Sequence, residues 1–272
     1  MRRYPTVTLR TGSLRSRFCQ GSSMAQRTTP EDGPRLGRMT GAGPEAVNAV
    51  ALVLPSRTGR AGDGFGTGAT VRRLARALAR RGASAGLATY TVRVPGGGDP
   101  VESAERAARW AADESVRRHG DVPLALAGAG SGARAALRAA GHEAVTTVLA
   151  LAPRLPEDDD PAAEPEPVRH LAGRHVLLVH GTDDRRTDPE LSFRLAERAK
   201  KANRDVCRFE AHTDGHSLRR YRSEILALSC DFTLGSLCGL PYARTVEDAL
   251  AAPPPLGLRM PLAAGFGETL RG

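Results

Sequence analysis

Three short stretches carry side chains able to do nucleophilic or acid–base chemistry. The first is Gly128-Ala129-Gly130-Ser131-Gly132, a hydroxyl set among glycines. The second is His180-Gly181-Thr182-Asp183-Asp184, and the third is Asp214-Gly215-His216. Together they hold the parts of one machine: a hydroxyl nucleophile, an imidazole to take its proton and a carboxylate to orient the imidazole. The candidate side chains for these parts are Ser131, His216 and Asp184. An aspartate after a strand commonly caps a turn, and a loop histidine is commonly just solvated. The order and the separation of 32 residues from Asp184 raise His216 above that reading, and an apolar strand before Asp184 with Asp188-Pro189 opening a helix after it raises the acid. Asp183 and His212 are the neighbouring alternatives.

Each stretch must be held by a strand behind it. Residues 124–129 are apolar and lead through the glycine turn into a helix. Largely apolar runs at 49–54, 87–92, 145–151 and 175–180, and an alternating stretch at 205–210, read as further strands. Continuous apolar runs fit strands buried on both faces of a parallel sheet. Helical patterns separate them, at 70–81, 102–118, from Pro189 to about 202, and at 218–237. In the last of these, Leu218, Tyr221, Ile225, Leu228 and Phe232 form a core stripe. Six alternations of strand and helix predict an α/β fold with a doubly wound, mostly parallel, six-stranded sheet. The predicted domain spans 46–240. A basic, disordered extension is expected over 1–45 and a loosely ordered tail over 241–272.

The glycine-cornered turn, the acid after the fifth strand and the histidine after the sixth resemble the α/β-hydrolase superfamily. The resemblance covers roughly residues 46–240 and is firmest from Pro123 onward. It implies a serine hydrolase of esterase type with a nucleophile elbow, acting on small acyl esters or amides. On the Gly-x-Ser-x-Gly frame, Gly128 and Gly132 are the flanking small residues and Gly130 takes the nucleophile's place. A glycine there supplies no oxygen, which predicts impaired catalysis. A register shifted by one residue makes Ser131 the raised residue instead, so the position of the elbow is left open. In the unshifted register, the backbone N–H of Ser131 becomes an oxyanion donor. The second oxyanion donor belongs to the loop after the first strand, where Ser56 and Arg57 stand in place of expected glycines. Lid domains are commonly inserted near residues 153–170. This segment is short, Pro- and acid-rich, and predicts an open, lidless site.

Two other functions compete with hydrolysis. A non-catalytic homologue would bind a small-molecule ligand or a partner through the same cleft. Gly128-x-Gly130-x-x-Ala133 also fits a dinucleotide fingerprint, but the strand after it ends in Ala152-Pro153 without the carboxylate that would hold the ribose. No cofactor and no metal is therefore expected. His170, His175 and His180 recur every five residues, which suits neither a strand face nor a helix face.

Composition narrows the classes further. The net charge of +9 is concentrated at one end: residues 1–40 hold eight arginines against Glu31 and Asp32, and so +6 of the total. Aromatic residues make up only 4%, and nothing interleaves them with the arginines to stack bases, so no nucleic-acid partner is expected. No apolar run reaches about 18 residues, which argues against a membrane helix. Cys19, Cys207, Cys230 and Cys238 lack paired spacing and fit reduced thiols in a cytoplasmic protein. The oligomeric state leaves no mark in the sequence.

Overall fold

The computed structural model describes residues 33–56, 65–156 and 165–267. The strands are β1 (Arg35–Leu36), β2 (Thr40–Gly41), β3 (Ala49–Leu54), β4 (Leu87–Arg93), β5 (Leu124–Ala129), β6 (Val145–Leu151), β7 (His175–Gly181), β8 (Val206–Ala211) and β9 (Met260–Pro261). The helices are α1 (Phe65–Gly82), α2 (Pro100–His119), α3 (Ser131–Ala139), α4 (Pro189–Ala202), α5 (Arg222–Cys238) and α6 (Arg244–Ala251). The six expected strands are β3 to β8, all paired in parallel in the order β4-β3-β5-β6-β7-β8. Among the described residues the sheet has nine strands rather than six. β1 and β2 pair antiparallel with β4, and β9 adds in parallel to β8.

Every residue of β3 and β5 is buried, as continuous apolar runs require. Two cores sandwich the sheet. One packs α2, α3 and α4 against one face, and the other packs α1, α5 and α6 against the opposite face. Alanines make the first core thin. Ala104, Ala107, Ala108, Ala111 and Ala112 of α2 are all but inaccessible, as are Ala133, Ala135, Ala136 and Ala139 of α3. Small facing side chains let helices and sheet approach closely, so few aromatic residues are needed to exclude water.

The folded part extends past both edges of the expected 46–240 domain. At the front, the Thr40 hydroxyl donates to Thr89 O at 3.1 Å, and β1 and β2 cover the edge of β4. At the back, residues 241–267 are not a loose tail. Val246, Ala249 and Leu258 are fully buried, and β9 extends the sheet. Most of the basic extension, residues 1–32, lies outside the described residues, as do Cys19 and five acids of the insert, Glu157, Asp158, Asp159, Asp160 and Glu164. Glu166 does not follow the solvated-loop expectation. It is buried between Arg134 (2.7 Å) and Arg138, both on α3, and so fastens the end of the insert to the helix behind the glycine turn.

The strand order reverses at β3. The chain steps from β3 outward to β4, then crosses back to β5 on the other side of β3. In doubly wound sheets, the crevice at the carboxyl ends of two strands flanking such a reversal is where ligands bind. Here those ends are Leu54 and Ala129, continuing into Pro55-Ser56 and Gly130-Ser131.

Candidate active site

Gly130 forms the turn between β5 and α3. Its φ of 57° and ψ of −122° lie where a side chain is strained and glycine is not. The neighbouring glycines are required by close approach. A methyl on Gly128 would meet the backbone of Gly132 at 2.4 Å, and one on Gly132 would meet Pro55 O at 2.7 Å. The turn has the backbone geometry of a nucleophile elbow in the unshifted register, with glycine at its apex. The shifted register that raises Ser131 is not adopted: Ser131 is the first residue of α3 and is 2% exposed. The reason is steric, because the positive φ falls to the one residue without a Cβ.

The acid and the histidine do meet. Asp184 Oδ2 lies 2.8 Å from Nδ1 of His216. A Cβ built on Gly130 would stand 3.4 Å from Nε2 of the same ring. The imidazole therefore bridges the carboxylate and the elbow, the arrangement expected of a base serving a group at position 130. A carboxylate only accepts, so Nδ1 carries the proton and Nε2 presents its lone pair to the elbow. Asp183 and His212, the alternatives, are both exposed.

Asp184 is buried and has a full set of donors. Oδ1 accepts the backbone N–H groups of Arg186 (2.8 Å) and Thr187 (3.2 Å). Oδ2 accepts from His216 and also from Nε2 of His180 at 3.0 Å. Burial alone would raise the carboxyl's pKa. The hydrogen bonds from the two histidines and the Arg186 N–H outweigh it and hold the group well below the usual carboxylate range. His180 is the opposite case, because burial lowers its pKa and keeps it neutral. Its Nδ1 faces the Ser192 hydroxyl at 2.9 Å, which in turn accepts from the Arg208 guanidinium at 2.9 Å.

The loop carrying His216 is anchored by Asp214. Its carboxylate accepts four backbone N–H groups, from Gly215 (2.9 Å), Arg219 (3.1 Å), Arg220 (2.9 Å) and Tyr221 (3.2 Å). Thr213 and Leu218, at φ 57° and 49°, flank the histidine in left-handed conformations that glycine usually fills. Thr182 Oγ1 accepts the Thr213 N–H at 2.8 Å and helps hold that strain. A methyl on Gly181 would meet Asp214 O at 2.3 Å, so this glycine lets the two loops touch. Neither Asp214 nor His180 was expected to serve the site. An Asp-Gly pair reads as a turn, and a histidine ending an apolar strand gives no sign that its ring folds back on a carboxylate four residues later.

Solved structures of other proteins share this architecture. XC6422 from Xanthomonas campestris, a member of the α/β serine hydrolases without a lid, is 20% identical; the match covers 75% of this chain and 89% of that one, with a TM-score of 0.57. The fold is that of the α/β-hydrolases. Est1E from Butyrivibrio proteoclasticus matches at 15% identity over 75% of this chain and 93% of its own, with a TM-score of 0.55. Esterase 2 from Thermogutta terrifontis matches at 18% identity over 83% and 93%, with a TM-score of 0.54. No protein-family model and no curated protein matches the sequence.

A pyrophosphate would need open backbone at Gly130, where Ser56 and His216 instead crowd the glycine. No group of histidines, cysteines and acids suited to a metal is found among the described residues. Cys207 and Cys230 are buried, and burial pushes their thiols up to about 12 and about 11, so neither is a thiolate nucleophile. No helix among the described residues is long and apolar enough to cross a membrane.

Proposed function

We propose that the protein hydrolyses small acyl esters or amides, with His216 as general base and Asp184 as the acid that orients it. Gly130 impairs this chemistry, because the elbow offers the base no hydroxyl of its own. The observation that carries the reading is the imidazole held between Asp184 and the elbow, with Nε2 3.4 Å from the point where a Cβ on residue 130 would stand. A histidine fixed by a buried carboxylate and two strained neighbours is costly to maintain, and such cost concentrates at working sites. The short insert argues for an open cleft that admits small substrates. The esterases and the lidless hydrolase of the same fold support the same reaction class.

Turnover of p-nitrophenyl acetate and butyrate tests the reading. Slow hydrolysis is expected, falling about 100-fold or more in His216→Ala. Turnover equal in the two proteins would show that His216 is not a base. The missing hydroxyl at residue 130 favours a second reading, a homologue that binds a small-molecule ligand without acting on it. Complete absence of hydrolysis in the parent protein would select it.

A further inference from the structure

Ser56 brings a hydroxyl to the seat that Gly130 leaves vacant. A Cβ on Gly130 would lie 2.6 Å from Ser56 Oγ and 3.4 Å from His216 Nε2. Serine hydroxyl and imidazole therefore converge on one point, the point from which an elbow nucleophile would project. The register of the sheet brings them there. Leu54 of β3 pairs with Gly128 of β5, so Ser56 and Gly130 each stand two residues beyond a paired position, at the reversal of strand order. Gly132 makes the approach possible, since any side chain there would strike Pro55 O at 2.7 Å and Leu54 O at 2.8 Å. The two glycines act together: one leaves room for a hydroxyl, and the other lets the end of β3 deliver it. Ser56 is half-buried, within reach of a substrate entering the cleft.

We infer that Ser56 is the nucleophile of this site, supplied by the loop after β3 in place of an elbow side chain. The inference rests on the hydrolytic reading above. In the first half-reaction His216 Nε2 takes the Oγ proton as Oγ bonds to the acyl carbon, and the carbonyl electron pair moves onto oxygen. The first turn of α3 begins one residue from the seat, and the positive end of its dipole favours that negative charge. Collapse re-forms the carbonyl and breaks the bond to the alcohol or amine, which leaves with the proton from His216. Water, deprotonated by the same nitrogen, then splits the acyl-Ser56 ester, and Ser56 recovers its proton. Water is the only co-reactant. The hydrogen bond from Ser56 Oγ to His216 Nε2 that this step needs forms in the substrate complex, as catalytic hydrogen bonds long in an unliganded site commonly do.

The full-length protein can be treated with a fluorophosphonate probe and the labelled peptide mapped by mass spectrometry, with p-nitrophenyl butyrate turnover followed in parallel. The expected label is on Ser56. Ser56→Ala should lose the label and at least about 100-fold in turnover, with an unchanged melting temperature showing that the fold is intact. Label on Ser131 or any other residue would overturn the inference. So would His216-dependent turnover that Ser56→Ala leaves intact, a result under which hydrolysis itself still stands. If the parent protein shows neither label nor turnover, the hydrolytic reading fails first and the role of Ser56 with it.

Discussion

Asp184 and His180 respond to acid in opposite protonation states, and the difference fixes where stability is lost. The Asp184 carboxyl is depressed in the folded chain, so its contribution is complete above the unfolded value of 3.8 and is lost only as pH falls through its still lower folded value. His180 is kept neutral by burial. Once pH drops below the ordinary histidine value of 6.5, the unfolded chain takes up a proton that the folded chain resists. Its effect is thus absent above that pH and grows as acid is added, by up to about 1.4 kcal/mol per pH unit for one proton. His180→Gln keeps an amide N–H for Asp184 and an oxygen for Ser192, but no titrating group. Urea midpoints measured between pH 7 and 5 should fall less steeply for this variant than for the parent. Equal slopes would mean that His180 is already protonated in the fold, with its charged ring beside Asp184.

At the scale of elements, the site is the meeting of four strand ends, and three of the loops that leave them are held by different devices. The turn after β5 is held by glycines, and the loop after β7 by the donors around Asp184. The loop after β8 is held by Asp214, which gathers the N–H groups of residues 219–221 and so delays the start of α5. A helix from about 218 was expected from the stripe beginning at Leu218, and the observed helix begins at Arg222. The stripe itself is sound: Leu218, Ile225, Leu228 and Phe232 are all buried. Periodicity reports which side chains face the core, but it says nothing of a carboxylate that captures the first turn. Asp214→Ala should strand these donors, cost about 1–3 kcal/mol and let His216 wander. Turnover should then fall further than the stability loss explains, with kcat reduced at temperatures where circular dichroism still reports a folded chain. A drop in stability with kcat retained would assign Asp214 to the fold alone.

Across the whole molecule, legibility tracks length and locality. The strands β3 to β8 could be read because each is six or seven residues long, enough to show an apolar run or an alternation. β1, β2 and β9 could not, since two residues establish no alternation. That Asp184 and His216 come together was legible from their order after strands. That Ser56 faces residue 130 was not, because it depends on the pairing of Leu54 with Gly128 rather than on any local pattern. The tail misled for a related reason. Pro253-Pro254-Pro255 reads as an ending, yet the segments around it dock by contacts distant in sequence. Asp231 accepts the Ala243 N–H at 3.1 Å, and the ring of Tyr242 stacks on Phe232 above Gly235. Lys200 Nζ donates to Leu250 O at 2.9 Å, and Arg208, itself fully buried, donates to Leu258 O at 2.9 Å. Removing residues 242–272 would uncover Phe209 and the edge of β8, and would strip the Arg208 guanidinium of one acceptor while leaving its charge in place. Buried apolar contacts at Val246, Ala249, Leu258 and Leu262 would go as well. Together these losses should exceed about 3 kcal/mol and lower the melting temperature of the shortened chain by about 10 °C or more. Differential scanning calorimetry of the two chains decides the point. A melting temperature within about 2 °C of the parent would show that the segment lies on the sheet without supporting it, and that β8 is a stable edge by itself.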